Sequence, residues 1–440
     1  MKRFVGMWLV IGAVLVGLVA LFYAFYALAA LAAGVAASLG APPFYGSAIA
    51  NTVTLMAVLL MTVAALLTVA ERKWSAAMQD RVGANRIKVF GTALGGVPYL
   101  LADALKMLTK EATYPAARSR LLFELAPVLA FAPTFALFAV VPVGPSVEVL
   151  GQQVALVVAS PDVGLLWIFA LAGLSVYGTT LAGWASNNRA GLLGGVRASS
   201  QMISYEVSLG LSLVGVMLAY RTLNLQDMVA AQGNSVLGPV PALGILLQPL
   251  AFLVFFTSSF AETKRAPFDL PEGESEIVGY FVEYSGMKFG MMFLAEFVEV
   301  VILAGVVTAV FLGGWHPVIF EGLLRANLPP ALFGAVCATV FLAKVVLLCW
   351  LQLIIRWLLP RFRFDQIQAL CWKMLLPAAL LNLFVTGAAV LIDPSLELLA
   401  WVGIAEIVAI FGVTAAATRA PARAAEHGHD HGHAAHAAGH

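Results

Sequence analysis

Five of the chain's 24 carboxylates fall in one short stretch, ETKRAPFDLPEGESEIV, which begins at Glu262. They are Glu262, Asp269, Glu272, Glu274 and Glu276, set around one Lys-Arg pair, Lys264 and Arg265, and two prolines, Pro267 and Pro271. Carboxylates this close repel one another, so some keep affinity for a proton near neutral pH, which is the chemistry of proton exchange. Pro267 and Pro271 forbid a continuous helix here, so the segment should fold as a kinked surface loop with Phe268 and Leu270 tucked inward beside Asp269. In an extended chain Glu272, Glu274 and Glu276 would line one side. Other ionisable groups interrupt apolar runs: Glu124 in LLFELAPVLAF, Glu206 in ISYEVSLGLSLVGVMLAY, Glu296 in GMMFLAEFVEV, Lys344 in VFLAKVVLL and Glu406 in WVGIAEIVAI. Such groups at membrane depth are rare and usually functional. Their plain alternative is a carboxylate near enough to the surface to be hydrated. Glu296 and Glu299 share a helix face, and in a low dielectric they would not both ionise easily. Lys344 offers them a partner cation.

A second kind of chemistry belongs to the basic loop ERKWSAAMQDRVGANRIKVFG, where Arg72, Lys73, Arg81 and Arg86 follow an apolar run. These residues read either as an orientation signal that touches anionic lipid headgroups or as part of a shaped loop, because the glycines and Asn85 mark turns after Arg81. Next, GGVPYLLADALKMLTKEATYP puts Leu101, Leu105 and Leu108 on one helical face and Asp103, Lys106 and Lys110 on the other, the pattern of an interfacial helix. In GWASNNRAGLLGGVRASSQMISYE, Gly183, Gly191, Gly194 and Gly195 permit close packing or tight turns. The three cysteines, Cys337, Cys349 and Cys371, are far apart and form no zinc, haem or iron–sulfur pattern. Six of the seven histidines lie in a low-complexity tail that reads as disordered.

The elements that must position these residues are set by composition. The chain is 61% hydrophobic and 11% charged, against about a quarter charged in soluble domains. Runs long enough to cross a bilayer are predicted at about 5–34, 47–70, 121–143, 163–183, 202–220, 243–261, 289–313, 331–355, 374–392 and 397–417. The expected fold class is therefore all-α, a polytopic membrane helical bundle of about ten transmembrane helices in a lipid bilayer, and not a barrel of short alternating strands. The basic N-terminus begins an apolar run too long for a signal peptide, which favours a retained helix. A formal net charge of +1 argues against a nucleic-acid partner. Of the 25 Lys and Arg residues, 22 fall at the termini or in the loops 71–120, 184–201, 262–288 and 356–373. The opposite loops hold only Arg221 and Arg325. The positive-inside rule then places both termini and the long polar loops in the cytoplasm.

Four segments, in order, carry a resemblance: ERK…MQDRVGANR, GWASNNRAGLLGGVRASSQMISYE, ETKRAPFDLPEGESEIV…EYSGMKF and LPRFRFDQ…WKMLLPAALLN. Together they resemble the H subunit of proton-pumping NADH:quinone oxidoreductase, respiratory complex I, the counterpart of the first mitochondrially encoded NADH dehydrogenase membrane subunit. The membrane anchor of membrane-bound hydrogenases shares part of the pattern, but the match through RAPFDLPEGESEIV favours complex I. Ala84 stands where that family usually has proline, Lys264 where it usually has asparagine, and Phe281 where a histidine is common. The chain is also one residue short between Glu276 and Glu283.

The resemblance implies an eight-helix core over 47–392, with an extra transmembrane helix in 1–46 and another in 393–417, ahead of the His-rich cytoplasmic tail, 418–440. It implies a subunit without activity alone, in a bacterial inner membrane. The substrate would be a quinone, ubiquinone or menaquinone, with FMN and iron–sulfur clusters only on partner subunits. A hydrophilic cluster-bearing subunit, a second subunit completing the quinone site, and neighbouring small membrane subunits are the implied partners. Arg81, Arg86, Phe268 and Asp269 would line the quinone tunnel. Glu71, Asp103, Glu124, Glu206, Glu262, Glu272, Glu274, Glu276, Glu283 and Glu296 would couple quinone chemistry to proton translocation. Arg265, Arg361 and Arg363 would seat the partner. A secondary ion transporter is the alternative of another class; the chain shows no internal repeat, and its polar mass gathers on one side, which disfavours it.

Overall fold

The computed structural model of the chain describes residues 2–88, 91, 94–237, 240–273, 277–318 and 321–416. Glu274, Glu276 and the His-rich tail lie outside the described residues. Among the described residues, nine helices are long and apolar enough to cross a membrane, and a tenth apolar helix, Pro249–Glu262, is shorter. Each predicted run thus forms a helix, as it must in hydrocarbon, where every backbone N–H and C=O needs an internal partner. Two small antiparallel sheets are added in the connections, Gly144–Val149 with Gln152–Leu156 and Ser235–Leu237 with Val240–Pro241.

Several helices run further into the polar loops than the apolar pattern alone marks. The helix that begins at Pro43 continues to Met78, through a π-helical section at Thr52–Leu60. Arg189–Tyr220 is one helix of 32 residues, so the expected loop through residues 189–201 is a correction. Asn188 starts it by accepting a hydrogen bond from the Ala190 N–H, a side-chain N-cap. Glycines inside a helix cost about 1 kcal/mol each relative to alanine. One of them serves contact: a β-carbon on Gly194 would lie 2.8 Å from the backbone nitrogen of Tyr280. The helix therefore rides directly on the third polar loop.

Gly286–Phe311 is the central element. Within its membrane-length window 89% of residues are buried, against 17% in Glu397–Ala416 at the periphery. It packs on Arg120–Leu137, Met61–Met78 and Pro330–Leu358. Arg120–Leu137 packs in turn on Gly164–Ala185, and that helix on Arg189–Tyr220. The end helices dock through named contacts. Lys2–Ser38 buries Phe22, Phe25 and Tyr26, and the Tyr26 hydroxyl donates to the Pro145 carbonyl at 2.8 Å. Glu406 accepts the Leu250 N–H at 3.1 Å, which caps the start of Pro249–Glu262.

Lys344 is not the partner of Glu296 and Glu299. Its ammonium donates to the carbonyls of Leu312, Gly314 and His316 at 2.8–2.9 Å. Those carbonyls lie at the C-cap of the central helix and in the turn that follows it, more than ten residues along the chain from the acids.

Candidate functional site

The third loop, between Pro249–Glu262 and Gly286–Phe311, is non-helical in its described part, as its prolines require. It is not a surface loop. Lys264, Phe268, Leu270, Ile277, Tyr280 and Tyr284 are buried in it. Gln201, fully buried on Arg189–Tyr220, holds the loop from beneath by donating to the carbonyls of Ala261 and Phe268 at 2.7 and 2.8 Å. From above, the Phe362 N–H donates to the Pro267 carbonyl at 3.2 Å, and the Arg361 guanidinium donates to the Asp269 carbonyl with the Asp269 carboxylate 4.0 Å away.

Two cavities meet at Glu71. The outer one, about 590 Å³, is lined by Glu71, Arg72, Ser75, Arg81, Gly83, Ala84 and Tyr99. Arg72 pairs with Asp103 at 2.6 Å, which ties the Pro98–Thr109 helix to its floor. Leu101, Leu105 and Leu108 of that helix face outward, as an interfacial helix requires. Ala84 adopts φ 49, a conformation closed to a proline ring. The inner cavity is narrow, with apolar walls of Leu67, Phe260, Phe297, Val300 and Leu353 and a polar end of Glu71, Arg265 and Arg356. Glu71 takes Arg265 at 2.9 Å on one oxygen and Arg356 on the other. The Arg265 guanidinium also lies 4.0 Å over the Phe297 ring.

The sequence-based roles divide accordingly. Arg81 lines the outer cavity and donates to Gln79 at 2.7 Å. Arg86 is held by its backbone N–H, which donates to the Tyr99 hydroxyl at 3.0 Å, and its side chain does not line that cavity. Phe268 sits in the core against Tyr205, Phe260 and Phe362 and lines neither cavity, because its ring is the apolar plug of the loop. Arg265 faces inward, taken up by Glu71 and Phe297. Arg361 clasps the loop, and Arg363 starts the Phe364–Leu370 helix, its N–H donating to Gln366.

A third cavity, about 230 Å³, lies one residue away. Lys264, Tyr280, Glu296 and Glu299 line it, with Thr134, Ser175 and Thr179. Lys264 lies 3.8 Å from Glu299, and the Tyr280 hydroxyl donates to Glu296 at 3.1 Å. Burial would lower the proton affinity of the Lys264 ammonium, but Glu299, Glu296, Glu262 and Glu272 together raise it above its ordinary value. Burial pushes the Glu272 carboxyl well above the usual carboxylate range, reinforced by the charge of Glu296 and a hydrogen bond with it, with Arg265 opposing. Burial and then Glu296 raise the Tyr280 phenol, so it stays a donor. Both oxygens of buried Glu262 have no hydrogen-bond partner among the described residues. Glu206 is near enough to Glu262 for the two charges to interact, and its carboxylate lies against Gly173, where a β-carbon would be 3.0 Å from Oε1.

Two acids stand apart from this set. Glu124 faces outward and pairs with Lys288, while Glu283 accepts from Asn188 at 2.6 Å. Sequence reasoning missed Lys264, Tyr280, Arg356 and Gln201 as site residues. Lys264 was visible as the cation flanked by acids; the others became legible only once the loop was placed. Among the described residues, no group of three or more His, Cys, Asp or Glu is placed to hold a metal ion.

Comparison with known proteins shows which proteins the chain is similar to. A family model described as NADH dehydrogenase matches residues 50–387. The second of the H subunits of NADH-quinone oxidoreductase in Syntrophobacter fumaroxidans is 46% identical over 344 residues, 78% of this chain and 96% of the relative. The second H subunit of the same enzyme in Geobacter sulfurreducens is 43% identical over 76% of this chain and 94% of its own length. The first H subunit of the enzyme in Cytophaga hutchinsonii is 39% identical over 77% and 96%.

Proposed function

Since this chain belongs to the NADH dehydrogenase family, among the H subunits of NADH-quinone oxidoreductase, we propose that it forms the membrane part of a quinone-access tunnel and couples quinone reduction to proton translocation. The chain is a multi-pass membrane subunit of an oxidoreductase complex. In our reading its basic face lies in the cytoplasm of a bacterial inner membrane. There a hydrophilic subunit bearing the terminal iron–sulfur cluster, and a second subunit that protonates the quinone, cap the Arg81 and Arg361 side. FMN and the clusters reside on partners.

One observation carries this proposal: consecutive residues face the two kinds of site. Arg265 closes the apolar cavity through Glu71, while Lys264 enters the acid-lined cavity beside Glu299. The apolar walls suit an isoprenoid quinone, and the arginines at the cavity's end suit a polar head that gains negative charge on reduction. Charge that builds in a water-poor site acts strongly on ionisable neighbours. A negative head near Arg265 would therefore change proton affinity along Glu272, Glu296, Glu299, Glu262 and Glu206.

Asp269, next to the clasp made by Arg361, gives the direct test. In assembled complex, Asp269→Asn should slow NADH-driven quinone reduction while leaving NADH oxidation by an artificial acceptor upstream of quinone intact. Equal slowing of both reactions would remove the tunnel assignment.

A further inference from the structure

Lys264 is a buried ammonium inside the acid set. It is 4% exposed, and its Nζ lies 3.8 Å from Glu299 Oε2. The groups that face it come from every element packed there. The central helix gives Glu296 and Glu299, the helix before it Glu262, and the third loop Glu272 and Tyr280. The neighbouring helices give the hydroxyls of Thr134, Ser175 and Thr179. Each of those hydroxyls donates to a carbonyl of its own helix, so it offers the cavity only acceptor lone pairs. The next cation, Arg265, bonds Glu71 and lies over Phe297, and its charge reaches Glu299 and Glu272 more weakly than that of Lys264 reaches Glu299. Lys264 also sits at φ 55, a left-handed conformation that glycine adopts freely and a lysine does not. The backbone carries that cost at a residue whose side chain reaches the acids.

We propose that Lys264 is a fixed internal counter-ion for the Glu296–Glu299 pair: its ammonium keeps one negative charge resident on the pair, so the pair exchanges one proton at a time. A buried carboxylate without a partner is expensive, and two adjacent ones more so. One resident cation offsets one charge and leaves the second carboxyl to take up and release a proton. The ammonium keeps its three protons throughout, so Lys264 is a positioning residue and not a carrier. This role rests on the proton-coupling reading above.

The test uses assembled complex, with quinone reduction and proton pumping measured across pH and each rate normalised to the upstream artificial-acceptor activity. Lys264→Met removes the charge and should move the alkaline limb of the profile to higher pH by about one to three units. Lys264→Arg should restore the native profile. Glu299→Gln, which leaves the cation facing one acid of the pair instead of two, should move the profile to lower pH. The charge-balanced Lys264→Met/Glu299→Gln variant should return towards native. Should Lys264→Met not assemble, the opposite shift in Glu299→Gln and the return in the double variant carry the test. A native profile in Lys264→Met, a shift in Lys264→Arg equal to that in Lys264→Met, or no acid shift in Glu299→Gln would overturn the counter-ion role. Glu296→Gln separates the two readings. Pumping that survives it defeats proton coupling through the pair. Pumping lost there beside an unshifted Lys264→Met profile defeats only the counter-ion.

Discussion

Arg265 and Glu71, 194 residues apart in the chain, are joined at 2.9 Å, and Glu71 binds Arg356 with its other oxygen. This carboxylate ties the third loop, the Pro43–Met78 helix and the Pro330–Leu358 helix around one cavity. Its two bonds make the three residues unequal. Glu71→Gln leaves two guanidinium groups facing a neutral amide, the loss of a half-buried, doubly bonded ion pair that should cost about 2–3 kcal/mol. Arg265→Met leaves Glu71 still held by Arg356 and should cost about 1–3 kcal/mol. Thermal unfolding of the purified complex should rank Glu71→Gln below Arg265→Met, with quinone reduction falling in the same order.

Glu272 gives a pH-dependent expectation. Burial and the neighbouring Glu296 raise its proton affinity well above the carboxylate range. A raised acid contributes stability that is full below its unfolded value and lost as the pH rises through the folded one. Glu272 should therefore hold its proton to higher pH than an ordinary carboxylate, and Glu272→Gln should assemble normally and remove that titration from the carboxyl region of the infrared spectrum. The stability of the native complex should decline towards alkaline pH more steeply than that of Glu272→Gln. Equal decline in both would show that Glu272 is already ionised.

Much of this arrangement was legible in the sequence. Apolar runs located the ten helices, and Pro267 and Pro271 marked the non-helical loop. Of the acids in that loop, Glu262 and Glu272 lie close to Glu296 and Glu299, whereas Asp269 faces Arg361 and Glu283 faces Asn188. What was not legible depended on contacts between distant segments. A loop composition of acids and prolines reads as exposed, yet Gln201 and Arg361 fold this one into the body. Lys344 reads as a membrane-depth cation, and only the end of the central helix shows that it serves carbonyls. The glycines near residue 191 allow either close packing or tight turns, and only the placement of the Arg189–Tyr220 helix against the third loop decides for packing.

That approach is itself testable. Gly194→Ala would bring a methyl group to 2.8 Å from the Tyr280 nitrogen, a backbone atom with little room to yield. It should destabilise the assembled complex by about 1–3 kcal/mol and lower quinone reduction by displacing Tyr280 and the third loop. Gly412→Ala, with nothing within 4 Å, is the matched control. It should be neutral or slightly stabilising, by about 1 kcal/mol at most. The comparison needs only the two melting temperatures and the two rates.

The central claim is that buried acids link quinone reduction to proton movement, and Glu206 tests it most directly. It lies at the far end of the set, packed on Gly173, and its charge acts on Glu262. The measurement is NADH-driven proton pumping by Glu206→Gln complex in sealed vesicles, beside its quinone reduction and its upstream artificial-acceptor activity. Pumping and quinone reduction should fall together by roughly tenfold or more while the upstream activity and subunit content stay native. Full pumping and full quinone reduction in assembled Glu206→Gln complex would contradict the account.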